Sequence, residues 1–424
     1  MKINKISIIG LGYIGLPTAA IFASKKIKVV GVDTNEKIVN TINQGKIHIV
    51  ENDLDSLVHK VVKQGFLKAT TIPEPADVFF ITVPTPFKGK KFKPDLSFIM
   101  NACKSISSKL KVGNLVVLES TSPVGTTEKI SNWLAKARPD LTFPHTHGVK
   151  SNIRIAYCPE RVLPGKILYE LVHNDRIIGG MTSKCSDVTS KVYKLFVKGK
   201  LDYTNPRTAE MSKLTENSFR DVNIAFANEL SIICDKLDIN VWDLVKIANL
   251  HPRVNILQPG PGVGGHCIAI DPWFIVNKNS ADARLIRLAR QINDQKLKWV
   301  VSKVKLEVAN YLKKNLTKKI QNITIGCFGI TYKPNIDDLR ESPALTITQK
   351  IAKQHPGKVI VFEPNIKVLP KILNNKNLYL KTFNKKNSSV DVAVLLVDHK
   401  QFKNINVLAN KKIDTRGVWN KHNQ

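Results

Sequence analysis

The chain reads as an α/β protein: two doubly wound domains joined by a helical middle domain with a long connecting helix. Three observations predict this. Short apolar, β-branched runs alternate with helix-length segments at both ends of the 424-residue chain. The first of these runs leads into a glycine-rich turn, a helix, a second run and an acidic residue. Between the two alternating regions lie two stretches free of proline and glycine, Thr208 to Lys236 and Ala281 to about Lys314, each long enough for one helix. The expected domains are residues 1–200, 201–318 and 319–424.

In the first domain, Ile6 to Ile9 is a short apolar strand, followed at once by Gly10, Gly12, Tyr13, Ile14 and Gly15. A helix-compatible segment, Pro17 to Lys25, and a second strand, Val29 to Val32, end in Asp33. This is the Rossmann-like dinucleotide pattern. Gly10 permits the turn, Gly12 lets the backbone approach a pyrophosphate, and Gly15 allows close helix–strand packing. The helix N-terminus offers unpaired N–H groups to phosphates. A carboxylate at Asp33 suits ribose hydroxyls and so favours NAD over NADP.

The alternation continues with strands at Asp77–Val83, Leu115–Leu118 and Ile153–Tyr157. Open α/β sheets bind ligands beyond the carboxyl ends of their strands. That edge receives Thr85, Ser120, Thr121 and Thr126, and then Glu160 and Arg161, although turn chemistry accounts for any one of the hydroxyls equally well.

The middle domain starts with the helix Thr208–Lys236, which offers Met211, Leu214, Val222, Ala225 and Leu230 for burial. Lys213, Asn217 and Arg220 share one face of it at i, i+4 and i+7, a cation, an amide and a guanidinium suited to a sugar and phosphates. A helix over Val241–Asn249 leads through His251 and Arg253 to the loop Gly260–Asp271. There Gly262, Gly264 and Gly265 precede Cys267, so that a bulky substrate could approach the backbone. Such a cysteine suits a covalent nucleophile, with a buried free thiol as the alternative. In the last long helix Leu285, Leu288, Ile292, Val300, Val304 and Val308 suit a core or a dimer seam. The third domain repeats the strand–helix alternation from Ile323, with Tyr332, Lys333 and Arg340 after its first strand and no glycine fingerprint of its own.

The net charge of +31 could draw a nucleic acid, but the lysines are scattered and no aromatic-interleaved basic stripe exists. We read the charge as compositional drift that also favours phosphate-bearing ligands, and expect no nucleic-acid partner. The six cysteines form no CxxC pair, so neither a metal site nor a disulfide framework is expected, and a reducing, cytoplasmic setting is. No run of ~20 apolar residues is present, so no membrane insertion is expected.

Taken together, GLGYIGLP, PTPF, ESTSPVGTTE, YCPERVLPG, AEMSKLTENSFRDVNIAFANEL, HPRVNILQPGPGVGGHCIAIDPWF and FGITYKPNIDDLRESP resemble the UDP-glucose/UDP-mannuronate dehydrogenase family. The resemblance runs from residue 3 to about Trp419. Within the family, His266 and Ile268–Ile270 around the cysteine, and Arg161–Val162, match the branch acting on UDP-N-acetylmannosamine and depart from the UDP-glucose branch. Other UDP-N-acetylhexosamines are less firmly excluded.

The resemblance implies a four-electron oxidation of the sugar C6 alcohol to a carboxylate with two NAD+ and one water, supplying surface polysaccharides such as enterobacterial common antigen. It implies Cys267 as nucleophile, Lys213 and Asn217 beside it, and Asp271, Glu160 and Thr121 in proton transfer or water binding. It assigns Arg161, Val162, Lys213, Asn217, Arg220, His251, Arg253, Gly264, Tyr332 and Lys333 to the substrate. To NAD it assigns Tyr13, Ile14, Asp33, Thr85, Thr126 and Arg340, alongside the three glycines. In relatives the arginine ahead of the cysteine loop reaches a neighbouring subunit, which implies a homodimer.

Overall fold

The computed structural model describes residues 3–89, 92–163, 165–265, 268–383, 389–403, 405 and 407–419. The chain divides into two compact units, Met1–Glu216 and Asn217–Gln424.

The strands of the first unit are β1 (Lys5–Ile9), β2 (Lys28–Val32), β3 (Leu67–Thr70), β4 (Val78–Ile81), the small hairpin β5 (Phe87–Lys88) and β6 (Lys93–Pro94), β7 (Leu115–Leu118), β8 (Arg154–Tyr157), β9 (Arg176–Gly180) and β10 (Leu201–Thr204). All but the hairpin join one sheet, ordered β10-β9-β8-β7-β4-β1-β2-β3. From β3 to β8 the pairs are parallel, in the doubly wound order of a dinucleotide-binding sheet. Strands such as Val78–Ile81 and Leu115–Leu118 are buried along their whole length because helices cover both faces.

One face carries α1 (Gly15–Ser24), α2 (Glu36–Asn43) and α3 (Leu54–Lys63); the other carries α4 (Ser97–Ser107) and α5 (Thr126–Ala137), with the single turn α6 (Pro144–His147) after it. Helices α7 (Ile167–His173) and α8 (Ser183–Tyr193) return to the first face. The extension β9–β10 is absent from the sequence expectation. Strand β9 runs antiparallel to β8 and ends in Gly179 and Gly180. Both glycines are packing requirements. A Cβ at Gly179 would lie 2.7 Å from Ala209 Cβ, and one at Gly180 2.5 Å from the Ser186 backbone nitrogen.

Helix α9 (Pro206–Lys236) begins as its sequence dictates. Asn205 accepts from the Thr208 N–H at 2.9 Å as a cap, and Pro206 occupies the first turn. The second unit continues through α10 (Val241–Ala248), α11 (Asp271–Lys278) and α12 (Arg284–Lys314) into a five-stranded sheet. Its elements are β11 (Ile325–Phe328), α13 (Pro343–Gln354), β12 (Val359–Phe362), β13 (Leu378–Lys381), β14 (Val390–Leu395) and β15 (Ala409–Asp414). The sheet is parallel throughout and ordered β13-β12-β11-β14-β15, the second doubly wound sheet that the sequence predicts.

One face of this sheet packs on Val300, Val304 and Val308 of α12 and on α13; the other packs an aromatic cluster of Phe328, Phe362, Phe402 and Trp419. The apolar row on α12 therefore splits: its C-terminal half is core, whereas Leu285 and Leu288 are exposed. Met211, expected in the core, is exposed on α9.

Candidate active site

The three glycines after β1 do three different things. Gly10 has φ +98°, which a side chain would strain, and its carbonyl accepts from the Thr82 hydroxyl at 2.6 Å. A Cβ on Gly15 would lie 1.8 Å from the Gly10 carbonyl oxygen, so only glycine lets α1 start this close to the turn. A Cβ on Gly12 would meet nothing within 4 Å, so the space there is left open by the protein itself. No side chain caps the N-terminus of α1. At the end of β2, Asp33 accepts from the backbone N–H of Leu11 (3.1 Å) and of Asn35 (2.9 Å), which holds the carboxylate beside the turn. Open space, a helix start without a side-chain cap and an adjacent carboxylate are the setting that an adenine dinucleotide requires.

Along the same strand edge the Thr85 hydroxyl donates to the Thr121 carbonyl at 2.5 Å, joining two of the expected residues. Thr126 is buried and its hydroxyl donates to the Pro123 carbonyl at 2.6 Å. The N-terminus of α5 is taken by Glu210 of α9, which accepts from Gly125 N–H at 2.5 Å and from Thr127 N–H at 2.8 Å. Burial pushes the Glu210 carboxyl up, and its bonds to Thr127 and Gly125 oppose that. Glu210 was not singled out in the sequence.

Glu160 is not a solvated loop charge. It is buried, its Oε2 accepting from Arg176 at 2.7 Å and its Oε1 from the Arg161 N–H at 2.7 Å. Arg176 lies 3.8 Å from Glu119 and over the Tyr193 ring at 4.7 Å. Burial raises Glu119 to about 7, with Arg176 opposing the rise. Arg161 is exposed and pairs with Glu216 at 3.0 Å, and Val162 packs at the edge of the core.

Lys213 is buried on α9. One turn on, Asn217 is buried too, and its amide donates to Asp271 at 2.5 Å. Arg220, expected on the same face, is exposed, as are His251 and Arg253, whose backbone N–H donates to the His251 ring at 3.3 Å. Cys267 and His266 lie outside the described residues. The other five cysteines are buried, and burial drives the thiols of Cys103, Cys158 and Cys327 up to about 12, which removes them as nucleophiles near neutral pH.

The glycines of the cysteine loop serve the protein's own packing, a correction to the open-approach reading. A Cβ on Gly262 would lie 2.8 Å from Leu297, one on Gly264 2.5 Å from the Glu341 carbonyl oxygen, and one on Gly265 2.9 Å from the Tyr332 ring. Tyr332 thus sits directly on the loop. Beside it opens a small cleft lined by Gly262, Tyr332, Pro343, Val397, Asp398 and Arg416. This cleft lies past the carboxyl ends of β11 and β14, where the strand order reverses and such sheets bind ligands.

Arg416, which the sequence reading missed, donates to Asp398 at 2.8 Å. Burial alone would raise Asp398, but the Arg416 charge holds it below the usual carboxylate range. Lys333 is half-buried in the same loop as Tyr332, and Arg340 is exposed and forked onto Asp338. Buried His399, bonded to Glu363 at 3.0 Å, receives the Asn335 N–H at 2.9 Å and so pins the end of that loop.

Three segments match the domains of a single family: the NAD binding domain over residues 4–197, the central domain over 207–295 and the UDP binding domain over 326–421. The chain belongs to the UDP-glucose/GDP-mannose dehydrogenase family. It is therefore an oxidoreductase with an NAD-binding and a UDP-binding domain.

Within this dehydrogenase family, it is 60% identical over 402 residues to a UDP-N-acetyl-D-mannosamine dehydrogenase of Campylobacter jejuni, covering 95% of this chain and 97% of that one. It is 57% identical to an NDP-N-acetyl-D-galactosaminuronic acid dehydrogenase of Ralstonia nicotianae, covering 98% and 96%. The structure of a UDP-D-ManNAc dehydrogenase from Pyrococcus horikoshii superposes with a TM-score of 0.86 at 36% identity, covering 99% of this chain and 96% of that one. Among the described residues no cluster of three or more metal-ligating side chains occurs, and no helix is long and apolar enough to cross a membrane.

Proposed function

We propose that this dehydrogenase oxidises UDP-N-acetyl-D-mannosamine at C6 to UDP-N-acetyl-D-mannosaminuronate, through a thioester on Cys267. The observation that carries this reading is the Asn217–Asp271 pair. It closes the end of the cysteine loop, while Tyr332 from the UDP-binding domain packs on the loop's Gly265. The chain thus gathers an amide donor, a carboxylate and a nucleotide cleft around the residues that flank Cys267.

Gly10, Gly12, Tyr13, Ile14, Gly15 and Asp33 would hold NAD, with Thr85, Thr126 and Arg340 as further contacts. Bound NAD+ supplies the hydride acceptor for two successive two-electron oxidations. The Cys267 thiolate adds to the C6 aldehyde left by the first, because an aldehyde carries no alcohol to oxidise until a nucleophile adds. Oxidation of that thiohemiacetal leaves a thioester on Cys267, and water releases the acid and the thiol. Lys213 and Asn217 stabilise the oxyanion at C6, and the Lys213 charge favours the thiolate.

Of the two candidate carboxylates, Asp271 carries the protons, while Glu160, tied through both oxygens, shapes the loop of Arg161 and Val162. Thr121 helps to hold the water. Arg161, Arg220, His251, Arg253, Tyr332, Lys333 and also Arg416 would contact the nucleotide sugar. We assign residues 1–200 to NAD, 201–318 to the nucleophile and subunit contacts, and 319–424 to the UDP moiety. A homodimer working in the cytoplasm, feeding surface polysaccharide synthesis such as enterobacterial common antigen, completes the proposal.

The test is NADH formed per UDP-N-acetylmannosamine consumed, with UDP-N-acetylglucosamine, UDP-N-acetylgalactosamine and UDP-glucose run beside it. Two NADH per sugar on the first substrate alone is expected. One NADH would mean that the reaction stops at the aldehyde and would remove the thioester. The Ralstonia relative favours a second reading, the same chemistry on an N-acetylgalactosamine nucleotide, which turnover on that sugar would establish instead.

A further inference from the structure

The segment that delivers the cysteine loop is held by amide side chains of α9. Asn223 accepts from the Leu257 N–H at 2.9 Å and donates to the Asn255 carbonyl at 3.1 Å. Farther along the helix, Asn228 accepts from the Gly260 N–H at 2.8 Å and donates to Asn293 Oδ1 of α12 at 2.9 Å. Asn293 then donates to Asp221 Oδ1 at 2.8 Å and to the Asp221 carbonyl at 3.0 Å, and Asp221 is paired with Arg290 at 2.7 Å. Asn228, Asn293 and Asp221 are all fully buried.

This polar chain has a direction. Each amide accepts on the side of Gly260 and donates toward the Asp221 carboxylate, so that each bond polarises the next and no amide can flip without losing two partners. Burying two amides and a carboxylate between helices costs desolvation that apolar side chains of similar size would avoid. The seam does not depend on them alone, since Lys303–Asp235 at 2.8 Å bridges α9 and α12 farther along. What only Asn228 does is fix the Gly260 amide. Gly260 is also where Arg416 of the nucleotide cleft rests: a Cβ there would lie 2.6 Å from Arg416 Nη1. The place of Gly260 therefore sets both the start of the cysteine loop and the seat of Arg416.

We propose that Asn228, backed by Asn293 and Asp221, is a positioning residue for the oxidation, acting through the Gly260 amide on the loop that carries Cys267. This rests on the reading of Cys267 as the nucleophile. Asn228→Leu should lower kcat about 30-fold while the KM for NAD stays within about twofold, the signature of a lost alignment rather than lost cofactor binding. The rate of Cys267 alkylation by iodoacetamide, followed by peptide mass, should fall with it.

Asp221→Asn and Asn293→Asp should each lower kcat. Asp221→Asn conserves volume and keeps an oxygen for the Asn293 amide and for Arg290 while removing the charge that ends the chain, so it decides should Asn228→Leu fail to fold. An active wild type beside a folded Asn228→Leu or Asp221→Asn variant of equal kcat would overturn the inference and leave the proposed function standing. A wild type that forms no NADH from any of the UDP-sugars would overturn the proposed function and this inference with it.

Discussion

Asn217 and Asp271 share a 2.5 Å hydrogen bond, buried, between the side of α9 and the first residue of α11. The amide directs its N–H into the carboxylate and so orients Asp271. Asp271→Asn keeps the shape and removes the proton acceptor, and should lower kcat by roughly 10²–10⁴-fold, the range for loss of a general base. NADH production under saturating substrates measures it, with binding of UDP-sugar followed by calorimetry. A variant that binds as wild type and turns over at an unchanged rate would remove Asp271 from the proton path.

The glycine turn separates folding from cofactor binding. Gly15→Ala places a methyl 1.8 Å from the Gly10 carbonyl oxygen, so α1 must move and stability should fall by about 1–3 kcal/mol. Gly12→Ala meets nothing within 4 Å, so the apo protein should melt within about a degree or two of wild type while NAD affinity drops at least tenfold. Thermal melts with and without NAD distinguish the two. Equal NAD stabilisation of Gly12→Ala and wild type would mean that the open space at Gly12 is not where the pyrophosphate lies.

What the sequence makes legible here is local. The roles of Gly10, Gly12 and Gly15 follow from a few residues of backbone, and runs such as Leu115–Leu118 announce buried parallel strands by composition alone. The start of α9 is local too, although a reading that begins the helix at Thr208 passes over the Asn205 cap and Pro206 just before it. What stays hidden depends on partners far along the chain. Glu160 reads as a charge on the ligand edge of the sheet, and nothing local announces Arg176, which the antiparallel β9 folds in to pair with it. The glycines at 262, 264 and 265 look like room for a substrate until Leu297, Glu341 and Tyr332 arrive to fill that room. Arg416 sits in a short C-terminal strand-to-loop passage with no motif around it. It gains meaning only from Asp398 and Gly260, which the sheet topology brings to it.

Lys296 gives a pH-dependent stability. Burial pulls its amine down from 10.5 to about 7, only partly opposed by Asp235. Between pH 7 and 10.5 the unfolded chain holds a proton that the folded chain has released, so stability rises with pH through that window. Below it the fold must keep a buried ammonium, held by Ser231 and the Trp299 ring at 3.7 Å. Lys296→Met should therefore stabilise the protein by about 1–4 kcal/mol at pH 6, with the gain shrinking toward zero by pH 10. Denaturant melts at pH 6, 8 and 10 measure this. A gain that does not change with pH would mean that the amine carries no burial penalty.

The proposed dimer makes a last prediction, and it moves the subunit contact from α12 to α9. Phe219, Phe226 and Ile233 follow one another seven residues apart along α9 and are 65%, 51% and 45% exposed. That spacing puts them in one row on the helix surface, and three large apolar side chains in a row are rarely left to water. A second copy of the same helix face would cover them by the two-fold symmetry most homo-oligomers use. Phe226→Glu, at the middle of the row, would bury two carboxylates against each other across such an axis, so the variant should sediment as a monomer where the wild type sediments as a dimer. Arg253, exposed ahead of the cysteine loop, is the candidate to reach a neighbouring subunit's site, so the monomer should also lose affinity for the UDP-sugar. A Phe226→Glu protein that remains dimeric would place the interface elsewhere. One that becomes monomeric with unchanged KM would keep the interface and remove Arg253 from the partner's site.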